Sequence, residues 1–298
     1  MENATAPLFG LIGHPLGHSL SPSLFDAAYG GKYRYDLIEG EYFDASYKKF
    51  LRSYKAVNVT APFKEEAFER ADVVTGPCAL IGAANILAKG KDGVECHNSD
   101  FSGVILSVAD ALLPGAVAQC YSVFGADAHK KVHQLIRNEL PDVFGRRPRA
   151  LVVGCGGAGK AAAVAAAEMG FETWIANRSV ARACAFVKGL PEYGFKLIPI
   201  EEMNEALKAS DLVIYTLPVA LDSLSDLSEG DYSSEVSKIV LEANYRTPSF
   251  SGAIREKLEK GGAQYIPGKR WLLFQAMSGY SIMTGEAPDP AALFRAGA

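Results

Sequence analysis

Arg149-Ala150-Leu151-Val152-Val153-Gly154-Cys155-Gly156-Gly157-Ala158-Gly159-Lys160, with the alanine-rich run Ala161 to Ala167 behind it, decides how this chain is read. Residues 149–153 read as a short buried strand and the alanine-rich run as a helix. Between them Gly154, Gly156 and Gly159 stand in G-x-G-x-x-G register, the strand, glycine turn and helix that cradle a dinucleotide. The first glycine permits the tight turn, and the second lets backbone N–H groups approach a pyrophosphate. The third lets the helix pack close to the strand, while the helix N-terminus supplies partial positive charge. A second strand, Phe171 to Ala176, ends in Asn177-Arg178-Ser179. A site for NAD places Asp or Glu near this point, to accept from the ribose 2′-hydroxyl. This chain has Arg178 instead, whose forked donors suit a 2′-phosphate. The reading is an NADP site built from Gly154, Gly156, Gly157, Ala158, Gly159, Asn177, Arg178 and Ser179.

The rest of the composition sets bounds. A length of 298 residues suits two domains of about 150 residues each, long enough to bury a core. At 49% hydrophobic and 21% charged residues the chain reads as an ordinary globular protein. A net charge of −4 without a basic stripe argues against a nucleic-acid partner. Cys78, Cys96, Cys120, Cys155 and Cys184 are odd in number and lack C-x-x-C spacing, which points to reduced thiols in a cytoplasm rather than disulfides or a zinc site. Met1-Glu2-Asn3-Ala4 carries no basic region, so no signal peptide is expected, and no apolar run reaches the ~20 residues of a membrane span. The expectation is a soluble cytoplasmic protein without a metal.

Strand-like and helix-like pieces alternate along both halves. In the first, strands are expected at Leu8–Ile12, Tyr33–Glu39 and Lys55–Thr60, and helices at Ser21–Tyr29, Phe43–Ser53 and Pro62–Arg70. Ala84–Lys89 and Val94–Asn98 flank Gly90-Lys91-Asp92-Gly93, a hairpin signal. A helix runs from Ser99 to about Leu113, stopped by Pro114-Gly115. In the second half, strands are expected near 171–176, 194–198, 211–216 and 238–243, then a helix from Gly268 to Met283 and a last turn or helix at Pro288–Arg295. Such alternation implies parallel sheets covered on both faces. Residues 114–148 read as a connection whose one helix, Ala126 to Leu140, is closed by Pro141. His129 and His133 there are four apart, but no third metal ligand is evident, and a solvated face with Lys130 and Lys131 is favoured. Arg146, Arg147 and Arg149 read as a solvated turn.

Four pieces of the first half carry polar groups that a plain scaffold does not need. Ser19 and Ser21, two apart in Gly13-His14-Pro15-Leu16-Gly17-His18-Ser19-Leu20-Ser21-Pro22, can aim hydroxyls to one side, as a carboxylate would require. Ser21 is also a good helix N-cap before Pro22, and the two roles are compatible. In Asn58-Val59-Thr60-Ala61-Pro62-Phe63-Lys64, Asn58 and Thr60 share a strand face, and Lys64 falls in the first turn of a helix, where the dipole disfavours a cation. Gly82-Ala83-Ala84-Asn85 puts an amide at the head of an apolar strand, and Asn98-Ser99-Asp100 a carboxylate at the start of a helix. All four lie at strand C-terminal ends, where open α/β sheets hold ligands. Together they describe a pocket for a small polyhydroxy acid.

These segments resemble the shikimate dehydrogenase family. Its G-x-P-x-x-H-S-x-S-P stands as Gly13 to Pro22, its N-V-T-x-P-x-K as Asn58 to Lys64, and its I-G-A-x-N-T as Ile81 to Ile86, with Ile86 for the threonine. Its N-T-D-x-x-G stands as Asn98 to Gly103, and its glycine loop and N-R-S/T as Gly154 to Gly159 and Asn177 to Ser179. Trp271-Leu272-Leu273-Phe274-Gln275 resembles its M-L-x-x-Q helix. The resemblance implies a two-domain α/β fold: a substrate-binding domain of residues 1–103 and 270–298, a helical connection at 104–148, and an NADP-binding Rossmann-like domain at 149–269, with the C-terminal helix returning to the substrate domain. It implies NADP-dependent, reversible reduction of 3-dehydroshikimate to shikimate, by a monomer or homodimer. On that basis Ser19 and Ser21 hold the substrate carboxylate, and Thr60, Asn85, Asp100 and Gln275 bind ring hydroxyls. Lys64 with Asp100 handles the proton, Tyr245 lies near substrate, and Gly268 joins the cofactor residues. A quinate/shikimate dehydrogenase using NAD or both cofactors, and a non-catalytic NADP-binding sensor, are the alternatives; Ser21 and Arg178 lean against the first, Lys64 and Asp100 against the second. The chain departs from the family pattern at Tyr215-Thr216-Leu217-Pro218-Val219, beside the nicotinamide, and at Glu242 to Pro248, and its 114–148 connection is longer than usual.

Overall fold

Five of the six residues of β1 (Leu8–Gly13) are buried, as an apolar strand covered on both faces requires. In this computed structural model, which describes residues 7–234, 236 and 238–297, the chain divides into two compact units. The first takes the described residues up to Ser99 and those from Gln275 on; the second is Asp100–Phe274. Met1-Glu2-Asn3-Ala4 lies outside the described residues.

In the first unit β1 is followed by α1 (Ser21–Tyr29), β2 (Arg34–Glu39), α2 (Phe43–Ser53), β3 (Ala56–Val59), α3 (Lys64–Glu69), β4 (Val73–Val74), α4 (Cys78–Ile81), β5 (Ile86–Gly90) and β6 (Gly93–His97). The sheet order is β2-β1-β3-β5-β6-β4. β1, β2 and β3 are parallel, but β5 runs antiparallel to both β3 and β6. The expected parallel sheet is therefore mixed here. The two-residue return between Gly90 and Gly93, with Gly93 at φ +123°, leaves the hairpin no other direction. On α2, Phe43, Tyr47 and Phe50 recur at helical spacing and bury against Phe63, Val57 and Val59. Helix α3 is shorter than expected: Pro62 and Phe63 form the turn before it, closed by the Phe63 N–H on the Thr60 carbonyl (3.1 Å).

The second unit runs α5 (Ser99–Leu112), α6 (Ala116–Phe124), α7 (Ala128–Phe144), β7 (Arg149–Val153), α8 (Gly157–Met169), β8 (Glu172–Asn177), α9 (Val180–Lys188), β9 (Lys196–Pro199), α10 (Met203–Lys208), β10 (Leu212–Tyr215), β11 (Ile239–Glu242), α11 (Gly252–Lys260), β12 (Gln264–Ile266) and α12 (Gly268–Thr284). Ser99 and the part of α12 from Gln275 on belong to the first unit, as does α13 (Pro290–Ala296). The sheet β12-β11-β10-β7-β8-β9 is parallel throughout, as the alternation predicts.

Residues 104–148 hold more helix than expected, and all of them fall in the second unit. Helix α6 follows directly on Gly115, and α7 runs past Pro141 to Phe144. A proline this near a helix end costs one intrahelical bond. Continuing buries Leu140 and Phe144, the latter edge-on to Phe171 at 6.1 Å. The three arginines that follow are not simply a solvated turn. Arg146 forks onto the buried carboxylate of Asp211 (2.9 and 2.7 Å), which also accepts the Arg149 N–H (2.9 Å). The Arg149 guanidinium lies 4.4 Å from the Trp174 ring centroid. Nor are the two histidines solvated: His129 bonds the Ala126 carbonyl, and His133 stands edge-on to Phe101, both half-buried. Among the described residues no helix is long and apolar enough to cross a membrane.

Lys238, 1% exposed, donates to the Leu207 and Lys208 carbonyls at the end of α10, where a cation suits the dipole. Burial nevertheless pulls its pKa from 10.5 down to about 8, with Asp211 and Asp231 opposing. Between these values the unfolded chain holds the proton that the folded one has released, so folding gains stability as pH rises. Relative to a Lys238→Met variant, the parent should gain roughly 3 kcal/mol between pH 8 and 10.5. Urea unfolding of both proteins across that window checks this; a constant difference would contradict it.

Candidate active site

The four polar segments of the first unit are bonded to one another. The His14 N–H reaches the Ala61 carbonyl (3.2 Å) and the Thr60 N–H the Ile12 carbonyl (2.9 Å). Gly13 must be glycine here, since a Cβ would lie 2.4 Å from Thr60 Cγ2. The Ala84 N–H donates to the Lys64 carbonyl (2.8 Å) and the Val59 N–H to the Asn85 carbonyl (2.7 Å). Lys64, half-buried, is the first residue of α3.

Asn85, 4% exposed, accepts the Ser99 N–H on Oδ1 (2.7 Å) and donates to Ser99 Oγ (3.0 Å). Asn98 Nδ2 donates to the Ala83 carbonyl (2.8 Å). These bonds hold Ser99 at the start of α5; Asp100 is 5% exposed in the first turn of that helix, where the dipole favours a carboxylate. Asn85 thus serves the frame as well as any ligand, with one proton and one lone pair of its amide already committed. Gln275 stands one helical turn before Gly279, where a Cβ would come within 2.8 Å of Ser99 Oγ, so the Gln275 face of α12 is the face packed against Ser99.

Ser21 is not the N-cap. It is the first helical residue of α1, Leu20 occupies the cap position, and no side chain caps this helix. Ser19 Oγ instead accepts the Ser21 N–H (3.2 Å). The Ser21 hydroxyl is therefore not spent on the helix end.

In the second unit the glycine turn fits a dinucleotide. Gly154 has φ +100°, and a Cβ on Gly159 would lie 2.2 Å from the Gly154 carbonyl oxygen, so helix α8 is packed as closely as backbone allows. Gly156 has open space above it, where the first N–H groups of α8 point outward. Asn177 Oδ1 accepts the Cys155 N–H (3.2 Å), and Asn177 Nδ2 donates to the Ser179 carbonyl (2.8 Å), tying the turn to the end of β8. Ser179 caps α9 through the Arg182 N–H. Arg178 is exposed, and its guanidinium has no hydrogen bond or ion pair among the described residues. The sheet order reverses between β7 and β10, the switch point at which such sheets bind nucleotides. Gly268 has a packing reason of its own: a Cβ there would strike the Ala243 carbonyl oxygen at 2.8 Å.

The segment after β10 departs from the family pattern, yet it is firmly held. Tyr215, fully buried, donates to the Val219 carbonyl (2.9 Å) and accepts the Leu221 N–H (3.1 Å). Asn244 Nδ2 reaches the Pro218 and Thr247 carbonyls (3.0 and 2.8 Å), so the segment carrying the half-buried Tyr245 is tied to it. Buried Glu242 accepts the Ser249 N–H (2.5 Å) and the Tyr265 hydroxyl (2.7 Å). Sequence reasoning treated Tyr215 and Asn244 only as part of departures; their side-chain partners four residues on, and across the strand ends, left no local signal.

Two family models match the chain: the shikimate dehydrogenase substrate binding domain over residues 11–87, and shikimate / quinate 5-dehydrogenase over residues 137–219. The shikimate dehydrogenase (NADP(+)) of Natronomonas pharaonis is 31% identical over 292 residues, covering 94% of each chain. The chain belongs to the shikimate dehydrogenase family. Another shikimate dehydrogenase (NADP(+)), from Thermus thermophilus, is 28% identical over 293 residues, 96% of this chain and 95% of its own. A crystal structure of the Thermus thermophilus shikimate 5-dehydrogenase in complex with NADP(H) and shikimate superposes with a TM-score of 0.73 at 26% identity, covering 98% of both chains. The quinate dehydrogenase of Corynebacterium glutamicum in complex with NAD has the same fold, with a TM-score of 0.74 at 20% identity. Within the shikimate dehydrogenase family pattern, Ser19, Ser21, Thr60, Lys64, Asn85 and Gln275 stand in the first unit, and Asp100, Tyr245 and the nucleotide-turn residues in the second.

Proposed function

We propose that this chain is an oxidoreductase that catalyses the reversible, NADP-dependent reduction of 3-dehydroshikimate to shikimate, a step of aromatic amino-acid biosynthesis leading to chorismate. The observation that carries this reading is the bonded frame of the first unit, in which the backbones bearing Thr60, Lys64, Asn85 and Ser99 hold one another directly. Residues 1–103 and 270–298 serve the substrate, 149–269 the cofactor, and 104–148 the helical connection between those roles. The residues of the second unit fit NADP: an open glycine turn, a helix N-terminus, and an exposed Arg178 that, among the described residues, has no carboxylate partner.

When bound, NADPH supplies a hydride for the ketone carbon. Ser19 and Ser21 donate hydrogen bonds to the substrate carboxylate, and Thr60, Asn85, Asp100 and Gln275 bind the ring hydroxyls, with Tyr245 close to the ring. A lysine side chain carries its proton at neutral pH, so Lys64 protonates the ketone oxygen as negative charge develops there. Asp100 keeps that ammonium aimed. Oxidation of the alcohol by NADP+ releases a proton, so the oxidative direction is favoured by higher pH.

Arg178 favours NADP over NAD, and a serine at position 21 favours shikimate over quinate. Absorbance at the nicotinamide band, with shikimate or quinate crossed against NADP or NAD, tests both. The shikimate and NADP pair should give the highest kcat/KM; a higher value for quinate with NAD would overturn the reading. The five free cysteines accord with a reducing cytoplasm.

A further inference from the structure

The loop that follows β10 has no regular structure, yet side chains tie it at three points. Thr216 is anchored to the end of β7, its N–H and its hydroxyl both donating to the Val153 carbonyl (2.9 and 2.8 Å). The Tyr215 hydroxyl closes the loop, donating to the Val219 carbonyl (2.9 Å) and accepting the Leu221 N–H (3.1 Å). Its ring is fully buried and stands edge-on to Phe250 at 5.4 Å, so the hydroxyl is presented from a fixed point in the core. Burial pushes its pKa up to about 12, and it stays a neutral phenol with a proton to donate. Asn244 Nδ2 donates to the Pro218 carbonyl (3.0 Å). Asn244 Oδ1 accepts the Arg246 and Thr247 N–H groups (3.1 and 3.3 Å), which only an oxygen can do, so the amide nitrogen must face Pro218.

The loop held in this way is apolar and stands beside the glycine turn. Leu217-Pro218-Val219-Ala220-Leu221 are apolar without interruption, and Val219 at the tip is 61% exposed. A Cβ on Gly154 would lie 2.6 Å from Thr216 Oγ1 and 3.0 Å from Leu217 Cδ2, so the loop packs directly on the first glycine of the turn. In the sheet, β8 and β10 flank β7, which leads into that turn. Arg178 follows β8, and residues 216–221 follow β10. A dinucleotide whose 2′-phosphate meets Arg178 therefore has its adenosine on the β8 side of the turn and its nicotinamide half on the β10 side. A flat aromatic face packs on apolar side chains. A wall of irregular backbone keeps its shape only where side chains supply the hydrogen bonds that a helix or sheet would have given.

We propose that Tyr215 and Asn244 are positioning residues for the nicotinamide half of NADP: they hold residues 216–221 as a preformed apolar wall beside the glycine turn. This rests on the NADP-dependent activity proposed above, and it adds to that activity two side chains that act through the loop. Because the wall is in place before the cofactor arrives, binding carries no cost for ordering it. Removing either support weakens the grip on the nicotinamide half alone. The adenosine half, on the side of Arg178, is held as before.

The test is calorimetric binding of two ligands to the full chain and to its Tyr215→Phe and Asn244→Ala variants. One ligand is NADPH; the other is adenosine 2′,5′-bisphosphate, which keeps the 2′-phosphate and has no nicotinamide. Tyr215→Phe keeps the ring packing and removes both hydroxyl bonds. It should weaken NADPH about tenfold and leave the bisphosphate within about twofold of the parent. Asn244→Ala should show the same selectivity between the two ligands. In steady-state assays Tyr215→Phe should raise KM for NADP about tenfold, with KM for shikimate within about twofold of the parent. Unchanged NADPH affinity would overturn the proposal, and so would equal losses for the two ligands, which a general loosening of the fold gives. If Tyr215→Phe does not fold, Asn244→Ala carries the same comparison. If the parent binds NADPH but does not turn over shikimate, the activity reading fails, while the two-ligand comparison still decides the role of the tyrosine.

Discussion

Lys64→Ala should lower turnover by roughly 10²–10⁴-fold, the range of a lost general acid, while KM for shikimate stays within a few-fold of the parent. The frame explains why the loss should be confined to kcat. Lys64 is held through its backbone carbonyl, which accepts the Ala84 N–H, and alanine keeps that bond. On the proposed reading most of the substrate grip comes from other side chains, Ser19, Ser21, Thr60, Asn85 and Gln275 among them. A melting temperature taken beside the kinetics is the control that separates loss of turnover from loss of fold. Measurement is by nicotinamide absorbance at saturating NADP and varied shikimate; near-normal turnover would remove Lys64 from the mechanism.

The second large effect is expected at Arg178. Its guanidinium is exposed and holds nothing else in place among the described residues, so Arg178→Ala should leave stability unchanged. NADPH should bind about 10²-fold more weakly, the scale of losing a forked, charge-assisted contact to a phosphate. NADH, which lacks that phosphate, should bind within about threefold of its affinity for the parent. Fluorescence titration of the two reduced cofactors gives both numbers from the same preparation. Equal losses would show that the arginine supports the site generally rather than reading the 2′ position.

Much of the fold was legible because its determinants are local. The glycine turn, the apolar strands β7 and β10, and the return at Gly90 and Gly93 each carry their signal within a few residues. The family motifs are legible for a related reason: Ser19 to Ser21, Asn58 to Lys64 and Asn98 to Asp100 are short segments that close on strand ends. What stayed hidden depends on partners far away in the chain. Arg146 looks solvated until Asp211, 65 residues on, is placed beside it. Tyr280 reads as one aromatic among several on a helix, and its hydrogen-bond partner, the Ser21 carbonyl, lies 259 residues earlier. Pro141 looked like a stop because the stopping rule is local, whereas the burial of Phe144 on Phe171 that overrides it is not. The N-cap reading of Ser21 gave way to one backbone fact, that the helix begins at Ser21 itself and not after it.

The first unit is discontinuous: residues 100–274 interrupt it, and it is completed only by Gln275 and the residues beyond. On the ribosome, which delivers roughly 5–20 residues per second from the N-terminus, the interrupting sequence emerges whole before the host receives its final helices. Tyr280 arrives only after the whole of residues 100–274, and it is the side chain that bonds the Ser21 carbonyl. The nascent protein therefore carries its glycine turn and Arg178 well before its first unit is finished, and premature termination after residue 274 would leave that lobe attached to an incomplete host.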